Sequence, residues 1–278
     1  MTDHDAAGGD GALLDEDDER DEDVTDLPDD LEPGNAIERS VALELLRDGE
    51  LEIVGRLVDA SNVTLYGTVS CPEGPGRRAL KAACVYKPIR GERPLDDFPV
   101  GTLAYREVAA HVVSDRAGWG IVPPTVFRDG PLGPGMAQLW IETDDDVDVV
   151  SMILTRDPSL RRMALFDAVV NNADRKGGHM LPIDSGHVYG VDHGVTFSTD
   201  PKLRTVLWGW RGEPLVDAET TLLRQLRDDL DGPLGDELRE LLAKREVVAT
   251  ARRVEALLER GTFPLPDPGR PAIPWPPF

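Results

Sequence analysis

Two aspartates, eighteen residues apart, carry most of the chemistry this sequence offers. Asp174 lies in the run Asn171-Asn172-Ala173-Asp174-Arg175-Lys176-Gly177-Gly178-His179, and Asp192 in Val191-Asp192-His193-Gly194. Both segments are short, polar and bordered by apolar runs. A phosphoryl-transfer centre needs such a pair. One carboxylate faces the acceptor hydroxyl, and the other holds the metal ion that bridges nucleotide phosphates. Upstream, Lys87 closes an apolar run and Glu107 lies in a helical one, so a lysine for phosphate oxygens and a carboxylate to hold that lysine are both available. Each residue also has a plain structural reading. Asp174 would cap a turn, Asp192 would accept backbone N–H groups in one, and an exposed Lys87–Glu107 pair would be worth about 0–1 kcal/mol.

Neighbouring residues widen the candidate site. His179 reads as a metal ligand, a phosphate contact or a packed histidine. Asn171 and Asn172 are both candidate amide ligands, with Asn172 preferred for the metal and the other capping the helix end. Lys176 suits neutralisation of charge on a transferred group, or is a solvent-facing lysine. The Ser61-Asn62 turn offers backbone N–H groups to phosphates, although it is neither a Gly-x-Gly-x-x-Gly loop nor a Walker segment. Gln138, Leu139 and Trp140 form the end of an apolar run that would wall a base, or would simply be a buried strand. Trp208-Gly209-Trp210 would shield an acceptor or close a core. His4, His111, His187 and His193 show no zinc-ligand spacing.

The elements that must position these groups follow from periodicity. Residues 36–48 and 102–117 carry apolar positions at helical spacing, and 51–58, 63–70 and 79–87 read as strands, with further strands over 122–127 and 135–141. After an acidic break at 144–148, helices are predicted over 159–170, 217–230 and 235–260, with short strands at 180–181 and 188–191. Gly194 would allow a sharp turn after Asp192. Seven prolines among residues 263–278 require an extended terminus, whose Pro274-Trp275-Pro276-Pro277-Phe278 either packs back on the domain or serves as a recruitment peptide. The expected organisation is α+β: a disordered acidic tail (1–34), a β-rich N-lobe (35–143), a helical C-lobe (144–262) and an extended C-terminus (263–278), with a cleft near 140–148.

Charge is concentrated at one end. The formal net charge is −22, of which residues 1–33 contribute −14 through fifteen acids and one arginine, leaving −8 for the rest. That composition predicts disorder of the tail. It also argues against nucleic-acid binding by it and suits a basic partner or the protein's own Arg-rich surface. No signal peptide and no apolar run of membrane-spanning length is seen, so a soluble, cytoplasmic protein is expected. Cys71 and Cys84 make no disulfide framework, and Cys84 reads as a buried strand residue.

With these residues in view, the chain resembles the phosphatidylinositol 3/4-kinase-like group of atypical kinases, especially its small actinobacterial members, and more loosely the HipA-like kinases. The resemblance covers roughly residues 45–260. The family's Asp-Arg-His-x-x-Asn segment stands here as Asp174-Arg175-Lys176-Gly177-Gly178-His179, and its Asp-Phe-Gly triplet as Asp192-His193-Gly194. The resemblance implies a bilobal protein-kinase-like fold that binds ATP with Mg²⁺ or Mn²⁺. Asp174 would then be the catalytic aspartate, Asp192 a metal ligand, Lys87 the phosphate-binding strand lysine and Glu107 its helix partner. His179 falls where the family has a metal-binding asparagine. Imidazole is a poor ligand for Mg²⁺ and a better one for Mn²⁺. The expected activity is an ATP-dependent phosphotransferase with an unidentified protein, lipid or small-molecule acceptor. The rivals are an inactive nucleotide-binding pseudokinase and an AMP transferase.

Overall fold

The computed structural model describes residues 31–57, 62–74, 78–183 and 185–278. Most of the expected acidic tail, and Ser61 in the expected phosphate-covering turn, lie outside the described residues.

Five antiparallel strands form the first lobe, in the order β1-β2-β3-β5-β4: β1 (Glu50–Arg56), β2 (Leu65–Cys71), β3 (Leu80–Pro88), β4 (Thr125–Gly130) and β5 (Gly133–Leu139). Helix α1 (Arg39–Asp48) lies on one face. Its Leu45 and Leu46 join Val69, Ala82, Cys84, Tyr86 and Leu139 in a common core. β3 explains how a single strand serves two faces. Leu80, Ala82, Cys84 and Tyr86 alternate into that core, whereas Val85 packs with Met136 of β5 against Ala104 and Val108 of α2 (Leu103–Arg116). Period two therefore places Lys87 on the α2 side. Cys84 is fully buried as expected, and burial pushes its thiol up to about 12.

The second lobe is helical, with α3 (Val149–Thr155), α4 (Arg161–Val170), α5 (Asp217–Leu230), α6 (Pro233–Leu241) and α7 (Lys244–Arg260), plus a two-stranded ribbon of β6 (Met180–Pro182) and β7 (Val188–Gly190). Its own core gathers Leu160, Met163 and Phe166 with Leu223, Leu226, Leu238 and Val254. Ala109, Ala110 and Val113 of α2 also belong to this core, so α2 spans both lobes. Two lobes with separate cores and one shared helix are the expected α+β kinase-like layout.

Several boundaries differ from expectation for identifiable reasons. The predicted helix over 235–260 is two helices. Leu242 is extended, and the Glu246 carboxylate accepts from the Ala243 N–H at 2.9 Å and starts a new helix. Leu238, Leu242 and Val247 still feed one core, which made the apolar pattern look continuous. The strand expected from Val122 begins only at Thr125, because Pro123 and Pro124 lack N–H donors. α3 has no buried residue and gave no periodic signal. No helix among the described residues is long and apolar enough to cross a membrane.

Candidate active site

Lys87 meets Glu107 as the strand alternation requires: Nζ donates to Oε1 at 2.7 Å. It also donates to Asp192 Oδ1 at 2.8 Å. Glu107 is buried, and its second oxygen accepts the His193 N–H at 2.7 Å, so the helix carboxylate fixes both the strand lysine and the segment that carries Asp192. Burial raises the Glu107 carboxyl above its ordinary value against the opposing pull of Lys87. Burial also penalises the Lys87 ammonium, but Asp192 and then Glu107 outweigh it and raise its pKa. Lys87 in turn holds the Asp192 carboxyl well below the usual carboxylate range. The side chain of Asp192 is 45% exposed.

Asp192 takes a left-handed backbone conformation with φ of 59°. For a non-glycine residue this costs on the order of 1–3 kcal/mol and persists only where surroundings enforce it. Gly194 is not left-handed, so the sharp turn expected there is made by the aspartate itself.

The segment carrying Asp174 is built from the end of α4. Asn171 stops the helix in the left-handed conformation, φ 56°, and its carboxamide binds Ser198 O, Asp200 O and the Lys202 N–H. Asn172 is fully buried. Its Nδ2 donates to Asp167 at 3.0 Å and its Oδ1 accepts the Asp174 N–H at 3.0 Å. Both asparagines therefore shape the loop, and Asn172 reaches the site through the backbone of Asp174. Oxygens of Asp174 and Asp192 and a ring nitrogen of His179 lie within 4.8 Å of one another, a spacing that fits a metal ion. His179 Nε2 is 3.4 Å from Asp192 Oδ2, while its Nδ1 is buried without a partner. Burial keeps this imidazole below its ordinary pKa despite Asp192, so it is neutral and able to ligate at pH 7. Lys176 Nζ lies 3.3 Å from Asp174 Oδ2.

The remaining predicted residues sit further out. Gln138 spends its amide on Thr125 Oγ1 at 2.8 Å, and Leu139 belongs to the sheet core. Neither is an open wall, which leaves half-buried Trp140, edge-on to Tyr66, at the strand end. Asn62 Oδ1 accepts the Arg93 N–H at 2.8 Å and so ties the residues just before β2 to the loop after β3. Trp210 closes the helical core and Trp208 Nε1 donates to Ala272 O. At the C-terminus, Trp275 is 90% exposed, whereas the Phe278 ring lies over Gly177 and Pro277 O accepts the Gly177 N–H at 2.8 Å.

Three residues matter more than the sequence suggested. Arg175 is fully buried, paired with Asp167 at 3.0 Å, and donates to His179 O, Val191 O and His193 Nε2. It thus staples the Asp174 segment to the Asp192 segment. Because guanidinium only donates, His193 Nε2 accepts and the ring is neutral; burial, then Arg175, push its pKa well down. One signal was available: Asp167 is the only acid in the otherwise apolar stretch of α4.

No protein-family model matches the chain. Among solved structures, the Golgi casein kinase aligns at TM-score 0.47 with 14% identity, covering 80% of this chain and 73% of that one. The Helicobacter pylori proinflammatory kinase CtkA aligns at TM-score 0.39 with 12% identity, covering 76% and 98%. Both likenesses are too distant to carry chemistry across. Sequence similarity is closer: Protein Rv2133c of Mycobacterium tuberculosis (strain ATCC 25618 / H37Rv) is 43% identical over 269 residues, covering 84% of this chain and 94% of that protein. The chain belongs to the same family as Protein Rv2133c.

Proposed function

We propose that the protein is an ATP-dependent phosphotransferase, an atypical kinase of the PI3/PI4-kinase-like type. The observation that carries this reading is the unbroken set of contacts Glu107–Lys87–Asp192–His179 with Asp174 beside it, drawn from both lobes. Lys87 would release Asp192 to hold phosphate oxygens, with Glu107 keeping its ammonium in place. Asp174 would orient the acceptor hydroxyl and take its proton as that oxygen bonds to the γ-phosphorus and the bond to the β-bridging oxygen breaks. Lys176 would offset charge on the equatorial oxygens. A divalent ion held by Asp192 and His179 beside Asp174 would neutralise charge on the phosphates. A ligand set that includes an imidazole suits Mn²⁺ better than Mg²⁺. Trp140 at the strand end would border the base, and the Asn62 turn the phosphates.

Incubation with γ-labelled ATP and each metal, followed by a search for labelled protein, lipid and small-molecule products, tests the reading. Label transfer that disappears in Asp174→Asn is expected. Adenylyl in place of phosphoryl on the product, read from intact mass, would reassign the chemistry to AMP transfer. His179 in the place of an asparagine favours one rival, a nucleotide-binding pseudokinase. ATP binding with no transfer under either metal would select it.

A further inference from the structure

A groove of about 1180 Å³ runs along α7, between that helix, the 199–204 loop and the proline-rich C-terminus. Its lining holds eight basic and two acidic residues, on a protein whose formal charge outside residues 1–33 is −8. The two acids are already matched: Asp97 pairs with Lys202, and Asp267 faces Arg270 at 3.9 Å. Four of the cations, Lys244, Arg245, Arg252 and Arg260, are exposed and have no ion-pair partner among the described residues. Arg245, Arg252 and Arg260 recur at about two helical turns, so they line one face of α7. Unpaired like charges that line one groove repel each other and call for an anionic ligand.

The chain supplies one. Asp15 to Asp30 holds eleven acids and one arginine in sixteen residues. Thirty residues precede the described part, which starts beside β3, where the Glu32 N–H bonds to Lys81 O. The acidic segment Asp15–Asp30 adjoins Leu31, and its sixteen residues span up to about 55 Å when extended. A folded body of this size has a radius of gyration of roughly 18 Å, which makes it about 46 Å across, so the end of the segment near Asp15 can reach the groove. Tethering also gives such a segment an effective concentration on the order of millimolar. We infer that the α7 groove is an acidic-peptide site whose occupant is the chain's own segment 15–30. The groove reaches Ala173, whose carbonyl accepts from Arg204 Nε, one residue from Asp174. An occupied groove would therefore compete with an anionic acceptor. That consequence rests on the phosphotransferase reading, but the docking itself does not.

Zero-length carbodiimide coupling of the full chain tests the docking without any activity readout. The chain has only five lysines, Lys81, Lys87, Lys176, Lys202 and Lys244, and of these only Lys202 and Lys244 line the groove. In a dilute mixture of light and isotope-labelled chains, Lys244 should couple preferentially to carboxyls between 15 and 30 of its own chain. Coupling should fall by roughly tenfold in Arg245→Glu/Arg252→Glu/Arg260→Glu, the loss expected of three exposed ion pairs together. Unsubstituted chain in 1 M salt, where the Debye length is about 3 Å, should show the same fall without any mutation. Equal coupling at all five lysines, insensitivity to charge reversal and salt, or coupling mainly between light and heavy chains would each overturn the inference. In the last case the groove takes the segment of another copy.

Discussion

At the residue scale the site is an arrangement of charges that constrain one another. In the proposed reaction Asp174 carries the largest burden, as the group assigned to take the hydroxyl proton. Asp174→Asn keeps the shape and the Asn172 hydrogen bond to the backbone. It should lower turnover by about 10²–10⁴-fold, the usual value of a positioned general base, while nucleotide affinity holds. Equal turnover in the variant, measured with saturating ATP, would remove Asp174 from the chemistry. His179→Asn exchanges a nitrogen ligand for an oxygen one and should raise activity with Mg²⁺ relative to Mn²⁺; an unchanged ratio would mean His179 does not ligate. A titrating group away from the site gives a stability test. His111 is 4% exposed, and burial, helped by Arg39 and opposed by Asp115, lowers its pKa to about 4. Between about 4 and 6.5 the unfolded chain binds a proton that the folded chain refuses, so stability falls as pH drops through that window. His111→Gln should flatten this part of the denaturation-versus-pH curve, and a curve identical to the parent's would contradict the assignment.

At the element scale, α2 decides whether the site exists. One residue before Glu107, the buried Arg106 donates to Glu246 Oε1 at 2.5 Å and to Thr196 O at 2.6 Å, anchoring α2 to α7 and to the segment after His193. Removing one partner strands the other charge in the interior. Glu246→Leu should therefore cost about 3–5 kcal/mol in urea unfolding. A loss under about 1 kcal/mol, the value of an exposed pair, would show that water reaches Arg106. This tie also marks where reading the sequence stopped. Lys87, Glu107, Asp174 and Asp192 could be singled out as a group because the proposed phosphate chemistry limits which residue types serve, and because strand and helix periods put the first two on facing surfaces; the structure brings the four together. The α2 helix itself was legible from its apolar spacing. Arg106–Glu246 and Arg175–Asp167 were not, since a buried charge looks like a surface charge until its partner, 140 or eight residues away, is placed beside it. The break between α6 and α7 was hidden for a related reason: both helices bury their stripes in one core, so the pattern does not register a change of axis. Asn172 looked like a ligand because an amide two residues before Asp174 serves backbone and metal equally well on paper.

At the scale of the whole molecule, α2 contributes to the cores of both lobes, and the charges of the site come from both lobes. Lys87 belongs to the sheet lobe and Asp192 to the segment beyond the β6–β7 ribbon, so the ion pair at 2.8 Å closes the lobes on each other. A triphosphate that takes over Lys87, with a divalent ion on Asp192, would replace that contact by stronger ones and stabilise the folded state over the unfolded by mass action. At a ligand concentration 100 times Kd the gain is about 2.7 kcal/mol, which for a chain of this size raises Tm by roughly 5–10 °C. Differential scanning calorimetry with ATP and Mn²⁺ should show such a rise in the parent. The rise should shrink to near zero in Lys87→Ala and fall to the nucleotide-only value in Asp192→Asn. A parent that does not respond to ATP at all would abolish the nucleotide site, whereas equal shifts in parent and Lys87→Ala would leave a nucleotide site and place it away from the cleft.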